Sequence, residues 1–353
     1  MRIAQVAPLY ESVPPKLYGG TERVVSFLTE ALVRQGHDVT LFASGDSVTA
    51  AKLVPCCDDA LRLSHHGDPL AVHMRMLAQV HALADRFDVI HWHVDYLHYP
   101  SSRHLEVPQL TTLHGRLDLA GLPALYDEFA DMPVVSISDA QRKPLPQACW
   151  LGTVHHGLPR DLLPFVAEPG DYLAFVGRVS PEKRVDRAIE IARRVGMPLR
   201  IAAKIETSDI DYYHAEIAPL LDGPGVEFVG EIDELGKREL LGRARAMLFP
   251  IDWPEPFGLV MIEAMSCGTP VIAWDCGSVR EVIDDGVSGF VVSDLDAAVV
   301  ATRRVAELDR KAVRACFERR FTAERMAADY VEIYEQLVRG ADVARIEAAR
   351  ASA

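Results

Sequence analysis

The chain has 353 residues, enough for two domains of roughly 100–200 residues each. Its formal net charge is −14 and its isoelectric point is about 5.4, so no basic surface points to a nucleic-acid partner. No stretch approaches the ~18 uninterrupted apolar residues typical of a transmembrane segment, and the apolar start at residues 1–7 is too short for a signal peptide. We therefore expect a cytoplasmic protein. The six cysteines lack CxxC spacing, which favours neither a disulfide framework nor a zinc site.

Short apolar runs alternate with segments of helical periodicity along the whole chain. In the first half, strands are predicted at 2–7, 38–42, 89–92, 110–113 and 134–136, with helices at 22–35 and 74–86. The pattern then restarts, with strands at 172–176, 199–203, 226–229, 246–249, 271–273 and 290–292, and a helix at 185–195. This alternation predicts the α/β class, with two doubly wound, Rossmann-like domains built on parallel sheets.

A segment rich in proline and glycine at 158–171 separates the two halves and is typical of a linker. We place an N-terminal domain at 1–165 and a C-terminal domain at 166–324. Apolar residues at helical spacing predict a last helix at 325–340, which we expect to pack back on the first domain, followed by a frayed tail at 341–353. The two domains are expected to face each other across a cleft, because ligands bind at the carboxyl ends of parallel strands.

The most informative segment is EPFGLVMIE at 255–263, where two glutamates flank a turn and an apolar run. Gly258 in the turn and the helix-like continuation from Leu259 predict a helix start, where free backbone N–H groups bind anions. Glu255 then precedes the helix and Glu263 lies one or two turns inside it. This pattern suits a sugar nucleotide, which has both phosphates and hydroxyls. The alternative is a strand–turn–helix with two solvated glutamates.

A second segment, FVGRVSPEK at 175–183, follows the first strand of the second half. Arg178 and Lys183 flank its turn and can approach the same anion, Arg as a planar fork and Lys as a point charge. The alternative is a pair of solvated surface cations.

In the first half, three features end predicted strands or begin a helix. Gly19 and Gly20 open the first helix and permit close backbone approach to a ligand, although Thr21 is also a candidate N-cap. His114 ends a strand and is a candidate functional residue, although a single histidine is more often structural. His91 and His93 share one side of a strand, which makes a metal conceivable, but spacing supplies no third ligand.

Two DxD sequences, at 209–211 and 294–296, match a pattern that holds divalent metal in other transferases. Both precede helices and are interpreted here as turn and capping carboxylates. We therefore expect no metal and no other cofactor.

Taken together, these segments resemble glycosyltransferase family 4, the retaining transferases of the GT-B fold. The resemblance spans nearly the whole chain and is densest in the second half. It rests on YGGTER at 18–23, GHDVT at 36–40, LHG at 113–115, FVGRVSPEK at 175–183, EPFGLVMIE at 255–263, AMSCGTPVIA at 264–273 and GVSGFVV at 286–292.

The resemblance implies a role for each matching position. Arg178 and Lys183 would hold the donor diphosphate, Glu263 the donor ribose, and Glu255 a sugar hydroxyl. His114 would face the donor sugar near the reacting carbon. The remaining matches would bring backbone N–H groups or a close-packed backbone to the ligand; they are Gly19, Gly20, Phe257, Gly258 and Leu259.

We therefore predict a retaining hexosyltransferase that uses a nucleoside-diphosphate sugar. We expect its acceptor, which the sequence does not identify, to be a small molecule, a glycan or a lipid-linked molecule. Two alternatives stay open: a sugar-nucleotide epimerase or phosphorylase on the same fold, and a non-catalytic nucleotide-sugar-binding protein. A phosphorylase that uses pyridoxal phosphate needs a lysine for the cofactor, and no motif places one. The fold by itself does not separate these functions.

Overall fold

A computed structural model describes residues 1–16, 19–62 and 68–351, with the side chains of 342 and 344–351 left aside. The chain divides into two compact units. The first comprises Met1–Gly157 with Ala323–Ala353, and the second comprises Leu158–Thr322. No helix within the described ranges is long and apolar enough to cross a membrane.

The first unit is built on a seven-stranded, all-parallel sheet in the order β3-β2-β1-β4-β5-β6-β7. Its strands are β1 (Arg2–Val6), β2 (Asp38–Ala43), β3 (Lys52–Pro55), β4 (Val89–Trp92), β5 (Gln109–Thr112), β6 (Pro133–Ser136) and β7 (Cys149–Thr153). Its helices are α1 (Gly20–Arg34), α2 (Pro69–Ala82), α3 (Tyr99–Ser102), α4 (Leu122–Glu128), α5 (Asp139–Arg142) and, from the end of the chain, α14 (Ala323–Ala351).

The second unit is built on a six-stranded, all-parallel sheet in the order β10-β9-β8-β11-β12-β13. Its strands are β8 (Leu173–Arg178), β9 (Leu199–Lys204), β10 (Val226–Gly230), β11 (Ala246–Phe249), β12 (Val271–Trp274) and β13 (Gly289–Val292). Its helices are α6 (Val185–Val195), α7 (Ile210–Tyr212), α8 (Ala218–Leu221), α9 (Glu234–Arg243), α10 (Leu259–Ser266), α11 (Val279–Val282), α12 (Leu295–Arg304) and α13 (Arg310–Arg320).

Both sheets are those of doubly wound α/β proteins, as the alternation predicted. In each, the strand order reverses beside the first strand: between β1 and β4 in the first unit, and between β8 and β11 in the second. Loops diverge at such a switch point and leave a crevice at the carboxyl ends of the strands. The central strands are almost entirely buried, which explains their continuous apolar runs.

Two strands were not predicted from the sequence. β3 is half-exposed and short, and β7 contains Gly152 and is half-buried throughout. Neither shows a clear apolar run or alternation, since each lies at an edge of the sheet. Helix α2 begins at Pro69, earlier than the predicted residue 74, because the Asp68 carboxylate caps it by accepting from the Leu70 amide at 2.9 Å.

The division between the units falls after Gly157, not near residue 165 as predicted. Leu158 is already tied to the second unit, because its amide donates to the Phe321 carbonyl at 2.9 Å and it forms a bridge with Thr322. Proline and glycine density indicates a linker, but it does not show which of its residues are hydrogen-bonded to the second unit.

The last helix differs from the prediction at both ends. α14 begins at Ala323 and continues to Ala351, so the predicted frayed tail from 341 is helical in the structure. Residues 341–351 are mostly alanine, arginine and glutamate, which favour a helix without needing a continuous apolar stripe. The helix packs within the first unit, where it contacts α1 and β4 and buries Met326, Tyr330 and Tyr334.

Candidate functional site

In the second unit, the loops that follow β8 and β11 are fastened to each other at the switch point of the sheet. The Asp252 amide donates to the Glu182 carbonyl at 2.8 Å. The Asp252 carboxylate pairs with Arg184 at 2.8 Å and with Arg187 at 3.0 Å. These bonds fix the place where the predicted cationic turn meets the predicted glutamate segment.

Lys183 and Glu255 form an ion pair in that place, and both side chains are largely buried. The Glu255 carboxylate also accepts from the Trp253 indole N–H at 2.9 Å. Lys183 Nζ lies 4.7 Å from the Trp253 ring centroid and 5.7 Å from that of Phe249, so the aromatic faces add to its stabilisation. An anion that approaches Lys183 therefore meets a cation whose position is already fixed.

Gly258 forms the turn that starts α10, with a φ of 80°. A Cβ there would strain the backbone and would lie 2.8 Å from Met261 Cε and 3.2 Å from Phe249 Cζ, so those side chains would have to shift. Leu259 and Val260 are half-buried in the first turn of the helix, where backbone N–H groups have no intrahelical acceptor. Phe257 is buried, and its carbonyl accepts from the Ser278 hydroxyl at 2.9 Å. The turn is a rigid helix N-terminus suited to an anion.

Gly277 supports the same turn from the following loop. It has a φ of 60°, and a Cβ at this position would overlap the backbone of Glu255. The neighbouring Ser278 amide donates to the Glu255 carbonyl at 3.0 Å. The loop at 277–278 therefore holds the backbone of Glu255 in place.

Glu263 is buried one turn into α10, and its Oε1 accepts from Lys237 Nζ at 2.7 Å. Lys237 lies on α9, and its side chain is only 17 % exposed. One carboxylate oxygen of Glu263 is thus used by the protein, while the second has lone pairs that can accept from a ligand hydroxyl.

Arg178, at the end of β8, pairs with Glu182 at 3.1 Å and is about one-third exposed. The structure thus brings Lys183, Glu255 and Gly258 into one cluster. It gives Arg178 and Glu263 separate partners, Glu182 and Lys237.

We predict that substitutions of Lys237 and Glu263 have strongly non-additive effects on the free energy of unfolding. Lys237→Met should lower the free energy of unfolding by about 3 kcal/mol, because it leaves a buried carboxylate without its cation. Adding Glu263→Met should recover much of this loss. Urea denaturation of the two single variants and the double variant measures the coupling. Lys311→Met, at an exposed lysine of the same unit, should change little, and equal losses in Lys237→Met and Lys311→Met would contradict the prediction.

In the first unit, Gly19 and Gly20 lie at the start of α1. A Cβ on Gly19 would lie 2.8 Å from Pro15 Cβ, so close packing of the preceding loop requires glycine. Gly19 itself is the N-cap residue of the helix, which corrects the alternative that Thr21 caps it; Thr21 lies inside the first turn. Tyr18, the first residue of the predicted YGGTER segment, lies outside the described residues.

His114 follows β5 and is joined to buried polar side chains on neighbouring strands. Its Nε2 lies 2.9 Å from His93 Nδ1, and His93 Nε2 lies 2.7 Å from Gln5 Oε1. Burial lowers the pKa of His114 to about 3 and that of His93 well below its ordinary value, so both rings are neutral at pH 7. His114 is therefore a neutral hydrogen-bonding group and not a cation.

The last helix completes this network. Tyr334 Oη lies 2.7 Å from His91 Nδ1 and accepts from the Gln5 amide at 3.1 Å. His91 Nε2 lies 2.7 Å from Thr112 Oγ1, which lies 2.8 Å from Tyr330 Oη. His91 and His93 are thus members of a hydrogen-bond network that α14 closes.

The two DxD sequences have different surroundings. Asp294 caps α12, because its carboxylate accepts from the Ala297 amide at 2.8 Å. Asp209 ends a short 3-10 turn and makes no side-chain capping bond to α7, and Asp211 lies inside α7. Across the described part of the chain, no group of three or more His, Cys, Asp or Glu residues is arranged to hold a metal ion.

Sequence reasoning missed Lys237, Trp253 and Gln5. Lys237 is 26 positions from its partner, so no spacing rule connects them. Trp253 lies two residues before Glu255, but no spacing rule predicts that its indole N–H donates to that carboxylate. Gln5 had a visible signal, since it is a polar residue inside an otherwise apolar, buried strand.

Two doubly wound units, with a cation, a carboxylate and a helix N-terminus fixed at the switch point of the second, are typical of α/β proteins whose ligands bind at the carboxyl ends of the strands. Comparison with known proteins identifies the family. A model described as "Glycosyl transferases group 1" matches residues 165–314, and one described as "Glycosyltransferase Family 4" matches residues 18–148. The chain belongs to the family 4 glycosyltransferases, and it is a glycosyltransferase with the GT-B type of fold.

Individual known proteins are similar to this chain over nearly their full length. Glycogen synthase of Mycobacterium tuberculosis is 27% identical over 388 residues, covering 94% of this chain and 91% of that protein. The structure of AviGT4, a glycosyltransferase involved in avilamycin A biosynthesis, has a TM-score of 0.74 and 25% identity, covering 96% and 98% of the two chains. The structure of Anabaena HepE in complex with UDP-glucose has a TM-score of 0.72 and 18% identity, covering 96% and 99%.

Proposed function

We propose that this glycosyltransferase takes its sugar from a nucleoside-diphosphate sugar and transfers it with retention of the anomeric configuration. One observation carries the proposal: Lys183, Glu255 and the helix start at Gly258 are held together at the strand ends of the second unit. A cation beside free helix N–H groups suits a diphosphate, and the adjacent carboxylate suits a sugar hydroxyl. The complex of HepE with UDP-glucose supports the same donor class.

The chemical step breaks the bond between the anomeric carbon and the diphosphate, whose oxygen takes the electron pair. The acceptor oxygen bonds to the same carbon, and its proton passes to the departing phosphate. Lys183, Arg178 and the N–H groups after Gly258 would stabilise the charge that develops on the diphosphate. Retention follows if the acceptor attacks on the face from which the nucleotide leaves, as the family resemblance implies.

The two glutamates would have different partners on the donor. Glu263 would accept from the ribose hydroxyls through the oxygen that Lys237 does not use. Glu255 would accept from a hydroxyl of the transferred sugar. The Lys183 ammonium, which is paired with Glu255 in the free protein, would then also bind the phosphate. By the same resemblance, His114 is assigned to the donor sugar, and Gly19 and Gly20 to backbone contact with ligand. The acceptor would be a small molecule, a glycan or a lipid-linked molecule.

A ligand screen followed by a transfer assay tests this proposal. A thermal-shift panel of UDP, GDP, ADP and dTDP should show stabilisation by at least one nucleotide, since a ligand at 100 times its Kd adds about 2.7 kcal/mol. The matching nucleotide sugar should then be consumed, and NMR should find the donor's anomeric configuration in the product. Activity should persist in EDTA, because protein cations take the place of a metal at the diphosphate. Stabilisation by none of these nucleotides, or an inverted product, would refute the donor class or the retention, respectively.

Substitutions of the two glutamates should have different effects on nucleotide binding and on turnover. Glu263→Gln should weaken binding of the bare nucleoside diphosphate about tenfold, since one charged hydrogen bond is worth about 1.5–3 kcal/mol. Glu255→Gln should bind the bare nucleotide nearly as the parent does but lose turnover, because its partner is on the sugar. Calorimetry and initial rates measure the two effects. Identical losses of nucleotide affinity in both variants would contradict the assignment.

A further inference from the structure

A chain of three side chains crosses the central strands of the first unit and ends at His114. Gln5 lies in β1, His93 follows β4 and His114 follows β5, and these strands are neighbours in the sheet. The contacts are 2.7 Å from Gln5 Oε1 to His93 Nε2 and 2.9 Å from His93 Nδ1 to His114 Nε2. We call these three residues the Gln5–His93–His114 chain.

The direction of each hydrogen bond follows from the group at its start. The Gln5 amide nitrogen donates to the Tyr334 hydroxyl at 3.1 Å, which directs the amide oxygen to His93. A carbonyl oxygen can only accept, so His93 Nε2 must carry the proton. A neutral imidazole has one N–H, so His93 Nδ1 is an acceptor, and His114 Nε2 must donate to it.

This order leaves His114 Nδ1 with a lone pair. The atom is buried and makes no hydrogen bond to any residue in the described part of the chain. Burial also lowers the pKa of His114 to about 3, so the ring stays neutral and the lone pair stays available at physiological pH. A buried acceptor without a partner is costly, and a ligand that donates to it removes that cost.

We propose that Gln5 and His93 are positioning residues that hold His114 as its Nε2–H tautomer, so that Nδ1 accepts a hydrogen bond from a hydroxyl of the sugar. The part that concerns the sugar rests on the proposed function, whereas the part that concerns the tautomer does not. His114 then distinguishes hydroxyl donors from groups that can only accept. A sugar lacking that hydroxyl, or carrying an ether in its place, is disfavoured.

Nitrogen-15 NMR of the histidine rings tests the tautomer directly in the full chain. The His114 signals, assigned by their loss in His114→Asn, should show a protonated Nε2 and an unprotonated Nδ1 between pH 6 and 8. The reversed order of protons, in which Tyr334 donates to the Gln5 oxygen, would place the proton on Nδ1. That result would overturn the proposal whatever the variants do.

Variants of Gln5 separate positioning from a structural role. Gln5→Glu keeps an acceptor for His93 and should keep the His114 tautomer, whereas Gln5→Met removes the acceptor and should give a mixture. The matched control is Gln109→Met, since Gln109 is also a buried glutamine of this sheet but bonds Trp92 and the Ser102 carbonyl. It should leave the His114 signals unchanged. If a folded Gln5→Met variant still has a single His114 tautomer, Gln5 does not position His114.

The sugar contact is tested by ligand addition and by rate. UDP-glucose, ADP-glucose and GDP-mannose are each compared with the bare diphosphate, and maltose serves as a free sugar. A shift of His114 Nδ1 with a nucleotide sugar or with maltose supports the contact and identifies the hydroxyl's source, whereas a shift with neither overturns it. His114→Asn, which keeps an acceptor near Nδ1, should transfer sugar about tenfold faster than His114→Gln. If the wild type transfers no sugar but has the expected tautomer, the proposed function fails and the positioning role survives.

Discussion

Removal of the last helix from Ala323 onward is expected to unfold the first unit and abolish transfer. Tyr330 and Tyr334 are almost fully buried, and deleting a buried aromatic side chain costs about 3–5 kcal/mol. Two such losses alone reach the 5–15 kcal/mol by which a typical domain is stable. The truncation also removes the hydroxyl partners of Gln5, His91 and Thr112. Circular dichroism, thermal unfolding and transfer rate measure the result.

A shorter truncation provides the control for this prediction. Removing residues after Ala341 should change stability little, because this part of the helix has no continuous apolar stripe and Val343 is exposed. Tyr334→Phe keeps the ring and removes the hydroxyl, so it should cost about 1–3 kcal/mol through unsatisfied buried partners. A protein truncated at Ala323 that unfolds at the parent's temperature would show that the helix contributes nothing.

Replacing Lys183 with methionine is expected to weaken nucleoside-diphosphate binding tenfold or more. The charged hydrogen bond to phosphate is worth about 1.5–3 kcal/mol, and each 1.4 kcal/mol is a factor of ten in Kd. Methionine has an unbranched side chain of similar length, so most of the packing beside the Phe249 and Trp253 rings should be retained. Turnover should fall further than affinity, because the charge on the diphosphate grows as the bond to the sugar breaks. Calorimetry with the bare nucleotide and initial rates with the sugar donor measure the two effects.

Controls at the opposite end of the same sheet isolate the role of position. Lys311 lines a cavity with Arg245 and Pro270, which immediately precede β11 and β12, whereas Lys183 lies at the carboxyl ends of the strands. Lys311→Met removes the same charge and should leave nucleotide affinity unchanged. Arg178→Ala should also lose about tenfold in affinity, and Arg304→Ala, at a largely exposed arginine, should not. If both Lys183→Met and Arg178→Ala bind the nucleotide as tightly as the parent, the assignment of the diphosphate to this site is wrong.

The order of strands and helices could be predicted because buried parallel strands carry continuous apolar runs. Val89–Trp92, Ala246–Phe249 and the helix Val185–Val195 have the predicted bounds. The edge strands Lys52–Pro55 and Cys149–Thr153 could not be predicted, since one partner strand and partial exposure impose no apolar pattern. The family resemblance is confirmed by the comparisons.

The sequence by itself determined which residue types follow each strand: the glycine turn and glutamates at 255–263, the cations at 178–183 and the histidine at 114. Those positions are local, because a turn needs its glycine and a helix start needs its free N–H groups. Only the tertiary structure decided the partners. It paired Lys183 with Glu255 and Lys237 with Glu263, and it connected His114 to Gln5 through His93. Strand order and helix packing set these contacts, and because they join residues distant in the chain, no periodicity or spacing rule reports them.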